Sequence, residues 1–204
     1  MPGDNNIDQT IKRDDATPPR AAEKILGVAR ELFYRQGIRA IGVDEIVKRA
    51  GVTKPSLYRS FSSKDELAAS YLRGYDLEFW GRFDEAVAAH PGDPRAQVIA
   101  FLTRVGKRTQ MSGYRGCGMT NAVVEYPEAG HPARVVSEEN KRELRRRLRA
   151  MAAEMGAADP DTLGDGLLLL IEGAYISGQL FGAGGPAQSV ARNADLLIGA
   201  SLAR

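Results

Sequence analysis

Residues 43–61, VDEIVKRAGVTKPSLYRSF, constrain the fold of this chain more than any other stretch. They contain two short helical patterns separated by a stop and a restart. Val43, Ile46, Val47 and Ala50 fall on one helical face. Gly51 then supplies the residue that takes positive φ at a helix end. Thr53 is placed to cap the next helix, and Lys54 and Pro55 lie in its first turn, where a proline sacrifices no hydrogen bond. Leu57 and Phe61, four apart, face inward, which leaves Ser56, Tyr58, Arg59 and Ser60 pointing out. A short helix, a glycine turn and a second short helix with a polar, basic and aromatic outer face describe a helix-turn-helix. In that motif the second helix enters the major groove of DNA.

The charge distribution agrees. The whole chain of 204 residues carries a formal net charge of only +2. Residues 20–64, however, hold ten basic and four acidic side chains, a local net charge of +6. Basic charge concentrated on the segment with the helix-turn-helix pattern is what a phosphate-binding face requires. At 43% hydrophobic and 26% charged, the composition is that of a globular protein with a sizeable core. The single cysteine, Cys117, excludes an internal disulfide. The longest apolar run, Leu167–Ile171, is far shorter than the ~20 residues of a membrane span. With no signal-peptide pattern at the N-terminus, the expected location is the cytoplasm, in association with the nucleoid.

Helical periodicity extends along the rest of the chain, and no strand pattern competes with it. A first helix is expected over about 19–36, with Ile25, Val28, Ala29, Leu32 and Phe33 on its inner face and Gly37 as its stop. A long helix begins after Ser63, where Ser63 and Glu66 have capping-box spacing, and ends before Pro91. Further helices are expected over about 94–111, 119–126, 133–155, 161–181 and 187–202. The arginines at 142, 145, 146, 147 and 149 are expected to form a solvated face balanced by Glu138, Glu139 and Glu143, rather than a second nucleic-acid site. The helix over 161–181 is apolar nearly all round and must be buried on more than one side. Its small residues Gly173, Ala174, Ser177 and Gly178 would let another helix come close. The prediction is an all-α protein of about nine helices: a disordered arm (1–17), a three-helix DNA-binding domain (18–78) and a helical bundle (79–204).

The spaced motifs Ile-Leu-x-x-Ala-x-x-Leu-Phe from Ile25, Gly37, Val-Asp-Glu-Ile from Val43, Ala-Gly-Val-Thr-Lys from Ala50, Leu57-Tyr58, Phe61 and Ser-Lys-Asp-Glu-Leu from Ser63 together resemble the N-terminal domain of TetR-family transcriptional regulators. The resemblance covers roughly residues 20–70. It implies that Thr53, Lys54, Pro55 and Ser56 open the recognition helix nearest the bases and phosphates. By the same resemblance Tyr58 reaches a phosphate through its hydroxyl, and Lys64 makes another backbone contact. Arg59 is added on chemical grounds, because an arginine can bond guanine bidentately. Two positions depart from the pattern. Gly42 stands where a capping Ser or Thr is common, and Val47 where Ala is common.

The resemblance further implies a homodimer formed through the last two helices, double-stranded operator DNA as partner, and a small-molecule effector held in the bundle. Candidate effector contacts are Trp80, Phe83, Phe101, Met119, Asn121, Tyr175 and Gln179. There is no glycine-rich phosphate loop, no paired-cysteine metal site and no Ser/His/Asp arrangement. His90 and His131 lie far apart without neighbouring ligands. No cofactor, metal or enzymatic activity is therefore expected. Cys117, two residues from Arg115, is a weak candidate redox sensor. The resulting reading is a DNA-binding regulator, most simply a repressor on a palindromic operator that is released by its effector. The alternative from another class is an all-helical sensor or carrier whose N-terminal domain docks a protein.

Overall fold

A computed structural model describes residues 20–202. The arm expected over residues 1–17 lies outside the described residues. Among the described residues the chain forms nine α-helices and one short 3-10 turn. The helices are α1 (Ala21–Gln36), α2 (Val43–Ala50), α3 (Lys54–Ser60), α4 (Lys64–Ala88), α5 (Pro94–Arg108), α6 (Gly118–Glu125), α7 (Pro132–Glu154), α8 (Pro160–Phe181) and α9 (Val190–Leu202). The 3-10 turn, Pro186–Ser189, joins the last two.

Local chemistry sets most of the boundaries. The α1 helix stops at Gly37, which takes φ 92°. Gly51 adopts the left-handed conformation (φ 63°, ψ 36°), and its N–H donates back to α2 carbonyls. The Thr53 hydroxyl accepts from the Ser56 N–H at 3.3 Å, and the Ser63 hydroxyl accepts from the Glu66 N–H at 3.1 Å. The expected capping box at Ser63 is only half made, because the Glu66 carboxylate turns to Arg73 and Ser70 instead. The α5 helix ends at Arg108 rather than Met111. There the Thr109 hydroxyl donates to the Gly106 carbonyl at 2.7 Å and the chain leaves in successive tight turns.

Two apolar cores result. In the first, Ile25, Ala29, Leu32 and Phe33 of α1 pack on Ile46, on Leu57 and on the first turns of α4. Cys117, Met119, Ala122 and Tyr126, from α6 and its ends, complete this core. The second core joins Phe79 and Phe83 of α4 to the inner faces of α5, α7, α8 and α9. At 25 residues, or about 38 Å, α4 serves both cores. Helices α7 and α8 come close at Gly164, where an added Cβ would lie 2.6–2.7 Å from the Arg149 backbone and Cγ. Gly178 likewise admits Thr109 and Tyr114. Gly173, expected to play the same part, faces open space.

The α7 arginines form the expected solvated face in part, and in part reach to neighbouring helices. Arg142 and Arg146 pair within their own helix, to Glu138 and Glu143 at 2.7 Å. Arg145 and Arg149 reach across to Asp165 of α8, each at 2.7 Å. Arg147 bonds Glu143 and Asp84, and its guanidinium lies 4.1 Å over the Trp80 ring.

Candidate nucleic-acid interface and effector site

The first three turns after Gly51 form a continuous outward surface. Within α3 only Leu57 is fully buried, so the remaining side chains are available to a partner. Tyr58 is 48% exposed, and Thr53, Lys54, Pro55 and Arg59 are exposed with it. Ser56, half-buried, organises the others. Its hydroxyl accepts from Arg59 Nη2 at 2.7 Å and from the Thr53 hydroxyl at 3.1 Å. Arg59 is thereby pre-oriented with no carboxylate partner among the described residues. Lys54 is held against Asp44 of α2 at 2.9 Å, and that hydrogen bond and charge raise its pKa. Lys64 is half-buried and donates to the Arg39 carbonyl at 3.4 Å. Burial lowers its pKa, opposed by Asp65 and Glu125. Gly42 caps α2 in extended geometry with no side-chain bond, and a Cβ placed there meets nothing within 4 Å.

This reading domain is fastened to the bundle at points that the sequence did not reveal. Glu125, at the end of α6, accepts from the Arg39 N–H at 2.8 Å. An added Cβ at Gly37 would come within 3.1 Å of the same carboxylate. Arg39 also lies 5.2 Å over the Tyr126 ring, which stacks at 3.7 Å on His131. His131 in turn approaches Asp65 of α4 at 3.4 Å. On the other side, the Tyr34 hydroxyl of α1 donates to the Gly116 carbonyl at 3.2 Å and accepts from the Arg115 N–H at 3.1 Å. The only sequence signal for these contacts is Gly37, whose lack of a side chain makes room for Glu125 as well as ending a helix.

The seven candidate effector residues do not converge. Phe101 and Tyr175 line a small inner cavity of ≈ 20 Å³ between α4, α5 and α8, together with Phe79, Arg82 and Val105. Phe83 packs behind Phe101, with ring centroids 4.9 Å apart. Trp80 faces α7 under Arg147, on the outside of the bundle. Met119 is wholly buried in the first core. Asn121 and Gln179 line a separate groove between the end of α1, α6 and α8, which Tyr175 also borders. The physical reason is α4 itself: it is apolar on several sides, so the residue types alone did not say which face lines a cavity.

Cys117 is buried, and its neighbour is Lys141 rather than Arg115. The Lys141 ammonium lies 3.4 Å from Sγ and 2.7 Å from Glu172, whose other oxygen accepts from Thr120 at 2.7 Å. Burial alone would lower the Lys141 pKa, but Cys117 and Glu172 together hold it raised. Among the described residues no group of three or more His, Cys, Asp or Glu side chains is placed to hold a metal ion. Nor is any described helix long and apolar enough to cross a membrane.

A helix-turn-helix with an exposed basic recognition helix, carried on a helical bundle, defines a DNA-binding transcriptional regulator. Residues 25–71 match the family model described as bacterial regulatory proteins, tetR family. The chain is similar across its length to the crystal structure of SCO4454, a TetR-family transcriptional regulator from Streptomyces coelicolor. That likeness has a TM-score of 0.80 and 30% identity, over 90% of this chain and 94% of that one. It belongs to the TetR family of transcriptional regulators, which are not enzymes. Among curated relatives it is 50% identical over 118 residues to the transcriptional activator FasR of Mycolicibacterium smegmatis (56% of this chain, 52% of that one). It is 34% identical over 96 residues to the transcriptional repressor KstR2 of Rhodococcus jostii (43% and 47%). The matches thus span about half the length of these curated relatives.

Proposed function

We propose that the protein is a homodimeric repressor that binds a palindromic operator and is released from it by a small molecule. The observation that carries the reading is the α3 surface, where Thr53, Lys54, Ser56, Tyr58 and Arg59 are presented outward, with Arg59 unpaired by any carboxylate among the described residues. Tyr58 and Lys64 are assigned to phosphates, and Arg59 to a base edge.

The homodimer rests on an apolar stripe along α8. Leu169 (72% exposed), Ile176 and Leu180 (70% exposed) recur at helical spacing, with Gly173 between them and Leu196 of α9 alongside. A solvent-facing stripe of this kind marks an association surface. A twofold pair of these faces places two recognition helices for half-sites about one helical turn, ~34 Å, apart. Repression is the assigned sign because operator occupancy alone suffices for it. Release follows if the effector prefers a conformation in which the two α3 helices no longer match the half-sites, and the shift can be no larger than that preference.

The test is a mobility shift with the DNA upstream of the protein's own gene, combined with sedimentation and a promoter reporter. The expected result is a dimer that shifts the DNA with a steep salt dependence and lowers reporter output. A flat salt response removes the phosphate contacts from the reading, and raised reporter output makes the protein an activator.

A further inference from the structure

Resting on the reading that a small molecule acts through the bundle, we propose that the effector is a small organic monoanion, a carboxylate on a compact apolar body, whose head binds at Arg108. Its body lies in the cleft between α1, α4 and the loop from α5 to α6.

The cleft and the inner cavity are neighbours. The cleft, ≈ 290 Å³, is walled by Tyr34, Tyr71 and Met111, among others. Tyr75, Arg108 and Tyr114 line both this cleft and the inner cavity and so form the wall between them. The cavity accepts no more than a group about the size of a water molecule, whereas the cleft sits at the lower end of the roughly 300–1,000 Å³ of ligand sites. The body and its carboxylate therefore both lie in the cleft, with the head against the wall that Arg108 and Tyr114 form.

The charge at the wall is uncompensated. Arg104, one turn before Arg108 on α5, is paired to Glu85 at 2.7 Å. Arg108 has no carboxylate within ion-pair distance among the described residues. Glu78 is engaged by Arg30 at 2.6 Å and comes only to 3.8 Å of Arg82. Burial, and then the charge of Arg108, lower the pKa of Arg82. Arg108 thus lies in a partly buried place without a counter-ion of its own, near an Arg82 that shares Glu78 with Arg30, an arrangement that an incoming anion relieves. The Tyr114 hydroxyl is buried and has no hydrogen-bond partner. It can donate to the same head, and leaving such a donor unmade is costly. The remaining charges of the cleft are balanced, Arg30 against Glu78 and Arg35 against Glu31. That leaves room for one negative charge rather than several.

The position also explains how such a ligand acts. Its body would lie against Tyr34, whose hydroxyl ties α1 to the 115–116 loop. Displacing Tyr34 loosens the fastening of the DNA-reading domain on that side.

The experiment is titration calorimetry of the full-length protein with 2-naphthoate and octanoate, with naphthalene-2-carboxamide as the uncharged match of the first. At least one carboxylate is expected to bind, and the amide at least tenfold more weakly than 2-naphthoate. Arg108→Gln should bring carboxylate affinity down to that of the amide, and Tyr114→Phe should weaken it severalfold. Arg108 makes no ion pair, so its variant should unfold no earlier than the parent in a thermal scan. Arg95→Gln, which removes a distant positive charge, should leave carboxylate binding unchanged. Equal binding of acid and amide, no binding of either carboxylate at low-millimolar concentration, or an unaltered Arg108 variant would overturn the proposal. Operator release by the amide as readily as by 2-naphthoate removes the anion and leaves the effector reading standing. Binding of 2-naphthoate at Arg108 without operator release removes the effector reading and leaves the site.

Discussion

The arginines of α7 and Arg59 of the recognition helix share a residue type and differ in their neighbours. Along α7, Arg142, Arg145, Arg146, Arg147 and Arg149 each hold a carboxylate within 2.9 Å. On α3, Arg59 holds only the Ser56 hydroxyl among the described residues, while Tyr58 projects half-exposed beside it. The α7 cluster is denser in sequence but already neutralised, and it binds α8 and α4 to α7. On α3 Lys54 is paired with Asp44, and it is Arg59 that keeps its charge for something outside the chain. Local pairing, rather than the number of basic residues, separates a structural arginine from a binding one. Arg108 forms a third case, partly buried like the structural arginines yet, among the described residues, without a carboxylate like the binding one.

The sharpest way to break the comparison is Arg59→Ala. A bidentate arginine–guanine contact contributes about 1–3 kcal/mol of discrimination at each half-site. The substitution removes it from both half-sites of a dimer, so operator affinity should fall at least tenfold, with relaxed preference at one base position, as read by anisotropy titrations on base-substituted operators. Uniform weakening across all sequences would move Arg59 to the phosphates. Gly164→Ala attacks the other region. The new methyl would sit 2.6–2.7 Å from the Arg149 backbone and Cγ, forcing α8 away from α7. Overpacking of this kind costs about 1–3 kcal/mol, so the melting temperature should drop by several degrees. At a temperature where the variant is still folded, operator affinity should stay near that of the parent.

What was legible in the sequence follows the range of the interaction. The caps at Thr53 and Ser63 and the left-handed turn at Gly51 involve partners within a few residues, and the periodicity of α1 and α2 is equally local. The apolar excess of the 161–181 helix was legible, but the single chain leaves one side of it exposed, at Leu169, Ile176 and Leu180. The contacts Glu125–Arg39 and Tyr34–Gly116 join positions more than eighty residues apart, and nothing in either segment alone encodes them. The same holds for the cavity. Phe79 lines it and the adjacent Trp80 does not, a difference fixed by where α5 and α7 dock on α4. The isolation of Arg108 was invisible because it depends on which acids the neighbouring arginines had already engaged.

Smaller effects sharpen the comparison on the DNA side. Lys64→Ala should weaken binding to all sequences alike and lower the salt slope by about 1 for each phosphate it no longer neutralises. An unchanged slope would make Lys64 a packing residue, serving only the Arg39 carbonyl. Gly42→Ser tests the missing hydroxyl at the start of α2. The position has extended geometry and free space, so a serine fits without strain. As an N-cap it should gain only a few tenths of a kcal/mol in stability. Any larger gain in operator affinity at low salt would assign the new hydroxyl to a phosphate.

The smallest expected effect lies on α7 and α8 and appears only in acid. Hydrogen bonds from Arg145 and Arg149 hold the Asp165 carboxyl well below the usual carboxylate range, and those from Arg146 and Arg147 bring Glu143 down to about 2. A carboxylate whose pKa is depressed by folding contributes stability that is complete above its unfolded value, near 4, and is lost as pH falls through the folded one. The melting temperature should therefore decline as pH drops from about 5 toward 2, and Asp165→Asn should flatten part of that decline while lowering stability at neutral pH. These pairs are solvent-accessible, so added salt should shrink the difference between parent and variant. An acid profile identical in Asp165→Asn and the parent would mean that the α7 arginines are no better anchored than Arg59 of α3, and the distinction between the two regions would rest on position alone.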